Sequence, residues 1–328
     1  MRVLVTGAAG FIGSWVSEAL LRRGDSVVGV DNFNAFYDPA VKETNAREVE
    51  ATATMGTGEF RLVRADIVTS DAIERLFENS ESRPDVVCHM AAWAGVRPSI
   101  VNPMVYQKTN VEGTMRLLEL CRHHDVRSFV FASSSSVYGA RKQVPFREED
   151  PVDDPISPYA ATKKAGELLG HTYAHLFGLR FVGLRFFTVY GPRQRPEMAI
   201  HLFAQRIFDG VPIQLFGDGS SSRDYTYIED ITAGVLAAVD RARGTDGYRI
   251  YNLGGSETTT LAELIDHLEA ACGRKAQIEH HPEQPGDVPR TFADVERARR
   301  ELGYAPKVPV REGIERFVEW LQIRRSVR

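Results

Sequence analysis

A glycine turn set between an apolar run and an amphipathic stretch, all lying between Met1 and Asp31, constrains this chain more than any other feature. Arg2-Val-Leu-Val5 is short and β-branched. It enters Thr6-Gly7-Ala-Ala-Gly10-Phe-Ile-Gly13, and from Phe11 to Arg23 apolar residues recur at helical spacing. The pattern predicts strand, tight turn, helix. Glycines at 7, 10 and 13 permit positive φ, close approach of a phosphate and tight helix-on-strand packing, while the helix N-terminus offers N–H donors to a pyrophosphate. A second apolar run, Ser26-Val-Val-Gly-Val30, ends at Asp31, at the distance past the last glycine where dinucleotide-binding turns place an acidic residue. A carboxylate there takes the adenine-ribose hydroxyls of NAD and repels a 2′-phosphate, so NAD is the expected cofactor.

At 328 residues the chain has room for about two domains. A net charge of −4 leaves no basic footprint, so neither nucleic acid nor an anionic membrane is expected as a partner. No apolar stretch approaches the ~20 residues of a membrane helix. Met1 leads directly into the first strand, without a leader pattern, and the expected location is the cytoplasm. Cys88, Cys121 and Cys272 lie far apart in apolar segments and read as buried thiols rather than a disulfide or metal set. The pairs His123-His124 and His280-His281 lack ligand spacing and read as surface residues, so no metal is expected.

After Asp31 a polar stretch to Glu59 reads as an unusually long connection, either functional or mobile. Phe60 to Ala65 reads as a strand with Asp66 at its end, placed to meet an adenine amino group; Asp85 to Met90 reads as another, followed by small residues at Ala91 and Ala92 that let backbone approach a cofactor. Pro103 to His124 has one helical period, with Val105, Val111, Met115, Leu118 and Cys121 near one stripe. Ser128 to Ala132 is a strand whose carboxyl end carries Ser133 to Ser136, and ligands of open parallel sheets bind at such ends. A helix begins at Pro158, and Leu179 to Phe187 forms a sixth strand. Beyond it strict alternation loosens, with helices expected over 199–209, 228–241, 261–272 and 310–321.

Tyr159 and Lys163 stand at i, i+4 on one helix face, so the ammonium can lie beneath the phenol. A tyrosine titrating near 10 is a poor base at neutral pH, and a nearby cation together with a positive nicotinamide favours its phenolate. Ser134, at the end of the preceding strand, can bridge a substrate hydroxyl and the phenol. Removal of an alcohol proton with hydride departure to nicotinamide is the chemistry this set supports.

Together, the glycine turn, Ser133–Gly139, Tyr159–Lys163, Leu215-Phe-Gly-Asp-Gly219, Ser222-Arg-Asp-Tyr-Thr-Tyr227 and Pro285-Gly-Asp-Val288 resemble the extended short-chain dehydrogenase/reductases that modify nucleotide sugars. Within that group the chain is most similar to the UDP-glucuronate 4-epimerases. The similarity rests on Asp31-Asn-Phe-Asn34, Ala94-Gly-Val-Arg-Pro98, Tyr159-Ala-Ala-Thr-Lys-Lys-Ala165 and Arg185-Phe-Phe-Thr-Val-Tyr-Gly-Pro192 running into Arg195-Pro-Glu-Met-Ala199. Relatives acting on uronates typically carry Asp where this chain has Glu197.

The resemblance implies a Rossmann-type doubly wound parallel sheet with a smaller mixed α/β C-terminal substrate-binding region. Residues 1–188 would carry NAD, with segments around 225–255 returning to that domain, and 189–328 would bind the UDP-sugar. It assigns Gly7, Gly10, Phe11, Ile12, Gly13, Asp31, Asn32, Asn34, Asp66, Ile67, Ala91 and Ala92, with Tyr159 and Lys163, to the cofactor. Tyr159, Lys163 and Ser134 are the expected catalytic residues. Ser135, Ser136, Thr188 and Arg195 face the sugar, the last two gripping a C6 carboxylate, with Arg97 and Arg193 as reserve candidates. Gln214 and Leu215 lie near uracil, Arg223 on the diphosphate and Asp287 on the uridine ribose. Arg290 stands in for an arginine that galactose-type relatives carry where this chain has Gln284.

The implied reaction is oxidation at C4 of UDP-glucuronate, rotation of the 4-keto sugar and hydride return to the other face, giving UDP-galacturonate. UDP-glucuronate decarboxylase and UDP-glucose 4-epimerase are the alternatives; a non-catalytic NAD-sensing regulator is a more distant one. Serines at 134–136 cannot supply the acid and base of a 4,6-dehydratase. The apolar outer stripes of the 103–124 and 159–177 helices lead to the expectation of a homodimer built on a four-helix bundle.

Overall fold

The computed structural model describes residues 1–56, 58–255, 257–282 and 288–326. Among these, seven strands form one parallel sheet in the order Tyr248–Leu253, Arg180–Phe186, Ser128–Ser134, Val86–His89, Arg2–Thr6, Ser26–Asp31, Phe60–Arg64. The chain therefore has the expected Rossmann-type α/β fold. Side chains alternate between the faces of a strand, so a run that is apolar throughout requires both faces to be covered. Val3 and Val5 enter one core and Leu4 the other, and Val130 is likewise separated from Phe129 and Phe131. The order of strands reverses between Arg2–Thr6 and Val86–His89, opening a crevice at their carboxyl ends where such sheets take ligands.

The stretch after Asp31 corrects the expectation of an irregular connection. Asp38 Oδ1 accepts the Ala40 N–H at 2.9 Å and Pro39 occupies the first turn, which starts a helix over Pro39–Met55. Its buried side consists of Lys42, Asn45, Ala46, Val49 and Thr52, too polar to announce a helix by hydrophobic period.

The single helix expected over 103–124 is also corrected. Pro103–Tyr106 passes into a π-helical turn at Gln107–Glu112 before α-helix resumes at Gly113–His123. The wider turn shifts the phase, so that Tyr106, Asn110, Thr114, Leu117 and Cys121 face inward while Met115 is 37% exposed. An uninterrupted period, which turns Val105, Val111 and Met115 to one side, misses this shift.

Toward the C-terminus, helices Ala199–Asp209, Ile228–Gly244, Leu261–Cys272 and Val310–Ser326 stand where their spacing predicts. Short strand pairs join them: Thr188–Tyr190 with Tyr225–Tyr227, Ile213–Phe216 with Ile278–His281, and Ser222–Arg223 with Thr259–Thr260. Cys88, Cys121 and Cys272 are buried and unpaired, as read.

Candidate active site

The crevice at the switch point is a cleft of about 350 Å³, lined by the glycine turn and by Tyr159 and Lys163 of the helix Pro158–Phe177. Gly7 has φ 71°, and a Cβ at Gly13 would lie 2.1 Å from the Gly7 carbonyl oxygen, so the helix can start against the turn only with glycine at that position. That helix, Phe11–Arg22, begins at Gly10 with no side-chain cap, which leaves its first-turn N–H groups for a ligand in the cleft. Asp31, at the end of its strand, accepts the Phe33 N–H at 2.8 Å and the Ala9 N–H at 3.2 Å. Lys42, which the sequence reading missed, brings Nζ to 3.6 Å from Asp31. Donor amides, a carboxylate and a buried ammonium fit a pyrophosphate and a ribose diol.

Gly7, Gly10, Phe11, Ile12, Gly13, Asp31, Asn32, Asn34, Ile67, Ala91 and Ala92 all line the cleft. Asp66 stands behind that lining. It accepts from Asn32 Nδ2 at 2.8 Å and from the Val68 N–H at 2.8 Å.

Opposite, the helix Pro158–Phe177 is capped by Ser157, whose hydroxyl accepts the Ala160 N–H at 3.1 Å. Its height over the sheet is set by Gly166 and Gly170, where a Cβ would come within 2.3 Å of the Phe131 and Phe181 rings. Close contact brings Lys163 down to donate to the Ala132 carbonyl at 2.6 Å, with Nζ 5.9 Å from the Tyr159 ring centroid. Ser134 ends its strand and accepts the Ser136 N–H at 3.1 Å, starting a 3₁₀ turn over Ser135–Tyr138. All four serines from 133 to 136 line the cleft with Tyr159 and Lys163.

Burial pushes Tyr159 above its ordinary pKa, against the downward pull of the Ser134 hydrogen bond and the Arg195 charge. Burial lowers Lys163 to about 7. Burial thus opposes the phenolate, while the Ser134 hydrogen bond and the Arg195 charge favour it. Beneath the site, Glu167 accepts from Ser133 Oγ at 2.6 Å and receives both arms of the Arg185 fork at 2.9 Å, with 0% and 3% of the two side chains exposed. Sequence reading missed this pair; both residues sit inside apolar stretches.

Thr188 and Arg195 line the cleft together with Phe36, Tyr37 and Met198. Arg195 Nε lies 3.2 Å from Glu197 Oε1. Arg193, the reserve candidate, is instead a buried clamp at φ 70°, paired with Glu18 and Glu48. Arg97 stacks on Phe216 at 5.6 Å.

Of the residues expected at the UDP, Gln214, Leu215, Arg223 and Arg290 lie outside the cleft lining, in the C-terminal region. Gln214 is exposed and the Leu215 side chain is buried in the core. Ser222 bridges Arg290, which brings Arg223 and Arg290 onto adjoining chain segments. Asp287 and Gln284 fall outside the described residues.

A model of the NAD dependent epimerase/dehydratase family matches residues 3–254. The UDP-glucuronate 4-epimerase of Thermodesulfobacterium geofontis is 43% identical over 97% of this chain and 95% of its own length. The crystal structure of UDP-glucuronic acid 4-epimerase from Bacillus cereus, in complex with UDP-glucuronic acid and NAD, aligns with a TM-score of 0.89 at 36% identity, covering 98% of this chain and 99% of that one. The UDP-glucose 4-epimerase of Thermus thermophilus, complexed with NAD, aligns at 0.85 and 34% identity, covering 98% and 99%. The matched stretch spans the turn, the serine run and the tyrosine–lysine helix, the likeness extends across nearly the whole length, and on that ground the chain belongs to the NAD-dependent epimerase/dehydratase family.

Proposed function

We propose that this chain is an NAD-dependent UDP-glucuronate 4-epimerase that interconverts UDP-glucuronate and UDP-galacturonate. The observation that carries the reading is the convergence, in one cleft, of Tyr159, Lys163 and Ser134 with a dinucleotide turn on one side and Arg195 on the other. Gly10, Phe11, Ile12 and Gly13 would hold the cofactor's pyrophosphate, and Asp31 with Lys42 its adenine ribose. NAD supplies, when bound, the hydride acceptor and a positive ring charge beside the phenol.

Tyr159 takes the C4 hydroxyl proton directly or through Ser134, whose hydrogen bond steadies the phenolic oxygen. Lys163, held by Ala132, fixes the floor beneath it. Oxidation at C4 makes the uronate a β-keto acid, which loses CO2 when its C5–C6 bond aligns with the carbonyl π system. Arg195 and Thr188 hold the carboxylate out of that alignment. Arg195 Nε is engaged by Glu197, and its terminal nitrogens offer the bidentate geometry a carboxylate prefers. Residues 1–188, with segments around 225–255, carry the cofactor in this reading, and the remainder of 189–328 the UDP half, with Gln214, Leu215, Arg223, Asp287 and Arg290 toward the nucleotide.

We infer a homodimer in the cytoplasm. Met104, Leu168, Leu176 and Phe177 are between 44% and 70% exposed on the segments 103–123 and 158–177, an apolar surface suited to pairing with a second copy. Three unpaired buried thiols suit a reducing compartment.

The test is incubation with UDP-glucuronate and NAD, with chromatographic separation of products. UDP-galacturonate at equilibrium with substrate supports the reading. UDP-xylose as the main product would make the chain a decarboxylase, and turnover of UDP-glucose alone would make it a UDP-glucose 4-epimerase.

A further inference from the structure

The segment from Asn32 to Asp38 lines the cleft through Asn32, Asn34, Phe36 and Tyr37. It is stiffened locally: Asn32 Oδ1 accepts the Asn34 N–H at 3.1 Å, Asn34 Oδ1 accepts the Phe36 N–H at 3.2 Å, and Phe33 sits at φ 51°. Its near end is tied to the cofactor side, since Lys42 Nζ donates to Asn34 Oδ1 at 3.1 Å and lies 5.2 Å over the Tyr37 ring. Its far end delivers Phe36 to Arg195, with the guanidinium carbon 5.3 Å from the ring centroid.

Phe36 is backed by a fixed row of rings. It meets Trp93 edge-on at 5.2 Å and 81°; Trp93 stands 6.2 Å from Tyr106, and Tyr106 stands 6.2 Å from Tyr159. Trp93 is anchored through its backbone: Asn110 Oδ1 accepts the Trp93 backbone N–H and Asn110 Nδ2 donates to the Trp93 carbonyl, both at 2.9 Å, and also donates to Thr162 on the catalytic helix at 3.0 Å. Arg195 is thus flanked by the Phe36 ring, 5.3 Å from the guanidinium carbon, and by Glu197, 3.2 Å from Nε.

We propose that Phe36 is a positioning residue for Arg195, its ring fixing the guanidinium plane so that Nε alone stays on Glu197 while the terminal nitrogens are presented to the C6 carboxylate of a UDP-hexuronate. Without the ring the terminal nitrogens are free to turn onto Glu197 as well, and substrate must then displace that carboxylate. With a ring under the fork, cation–π attraction and flat packing hold the plane while leaving its edge for hydrogen bonds. Phe36 therefore acts on uronate selectivity, through Arg195, and not on the proton transfer at Tyr159. This inference rests on Arg195 gripping the uronate.

The experiment measures KM and kcat for UDP-glucuronate and UDP-glucose on NAD-saturated wild type, Phe36→Leu, Phe36→Tyr, Arg195→Ala and the Phe36→Leu/Arg195→Ala double variant, with melting temperature and NAD content for each. Phe36→Leu should raise KM for UDP-glucuronate about 10-fold with kcat within about 3-fold of wild type, as expected for loss of a cation–π support. Its KM for UDP-glucose should not change. Phe36→Tyr should restore the wild-type KM, and Phe36→Leu should add nothing once Arg195 is alanine. An equal KM rise for both sugars, full additivity with Arg195→Ala, or failure of Phe36→Tyr to rescue would overturn the proposal. If Arg195→Ala shifts selectivity and Phe36→Leu does not, this inference alone falls; if Arg195→Ala shifts nothing, the uronate grip falls and takes it along.

Discussion

Removal of Glu167 should destabilise this protein through the charge it leaves behind. The carboxylate is fully buried one helical turn past Lys163, and both of its oxygens take Arg185 nitrogens at 2.9 Å. In Glu167→Leu the buried guanidinium keeps the Tyr138 hydroxyl at 2.9 Å and the Glu148 carbonyl at 3.5 Å, neither of which carries a compensating charge. Breaking one side of such a pair costs ~3–5 kcal/mol. With an unfolding entropy of ~2.1 cal/mol/K per residue, a chain of 328 residues has about 0.7 kcal/mol/K, so Tm should fall by about 4–7 °C. Scanning calorimetry at fixed saturating NAD measures this. Replacing both partners, Glu167→Leu with Arg185→Met, removes the orphaned charge and should recover most of the loss, since apolar replacement of a buried pair is often near neutral. A double variant as unstable as the single one would refute the reasoning, because the loss would then belong to packing or to the Ser133 hydrogen bond.

Tyr159→Phe should lower turnover ~10²–10⁴-fold while NAD content, read by acid release and absorbance, stays at the wild-type level; near-normal turnover would remove Tyr159 from the mechanism. Lys163→Met should stabilise the cofactor-free protein at acid and neutral pH while abolishing activity. Burial holds the folded pKa at about 7, below its unfolded value, so lysine destabilises the fold fully below pH 7, less between 7 and 10.5, and not above. Thermal scans at pH 6 and pH 9 should therefore show a gain of a few degrees that shrinks at the higher pH, and a constant gain would contradict the buried-ammonium account. NADP should bind far more weakly than NAD in calorimetry on the wild type, because Asp31 meets a 2′-phosphate with like charge; equal affinities would mean that Lys42 neutralises it.

The local chemistry from Met1 to Asp31 was sufficient to announce strand, glycine turn and helix, because a Cβ at Gly13 has nowhere to go in any chain that builds this turn. Apolar runs covered on both faces, and a tyrosine and lysine one helical turn apart, are likewise properties of sequence spacing. What spacing could not carry was anything set by partners distant in the chain. The π-turn at Gln107–Glu112 shifts a helical phase in order to bring Asn110 to Trp93 and Thr162. The Pro39–Met55 helix buries Lys42 and Asn45 instead of an apolar stripe, since Lys42 pairs with Asp31 and Asn45 donates to the Ala9 carbonyl at 3.0 Å. Phe36 reads as an ordinary loop aromatic until the fold sets it beneath Arg195, which belongs to the far half of the chain. A sequence displays the periodicity and the turn chemistry of its own neighbourhood, whereas desolvation, charge pairing and ring stacking exist only between surfaces that folding brings together.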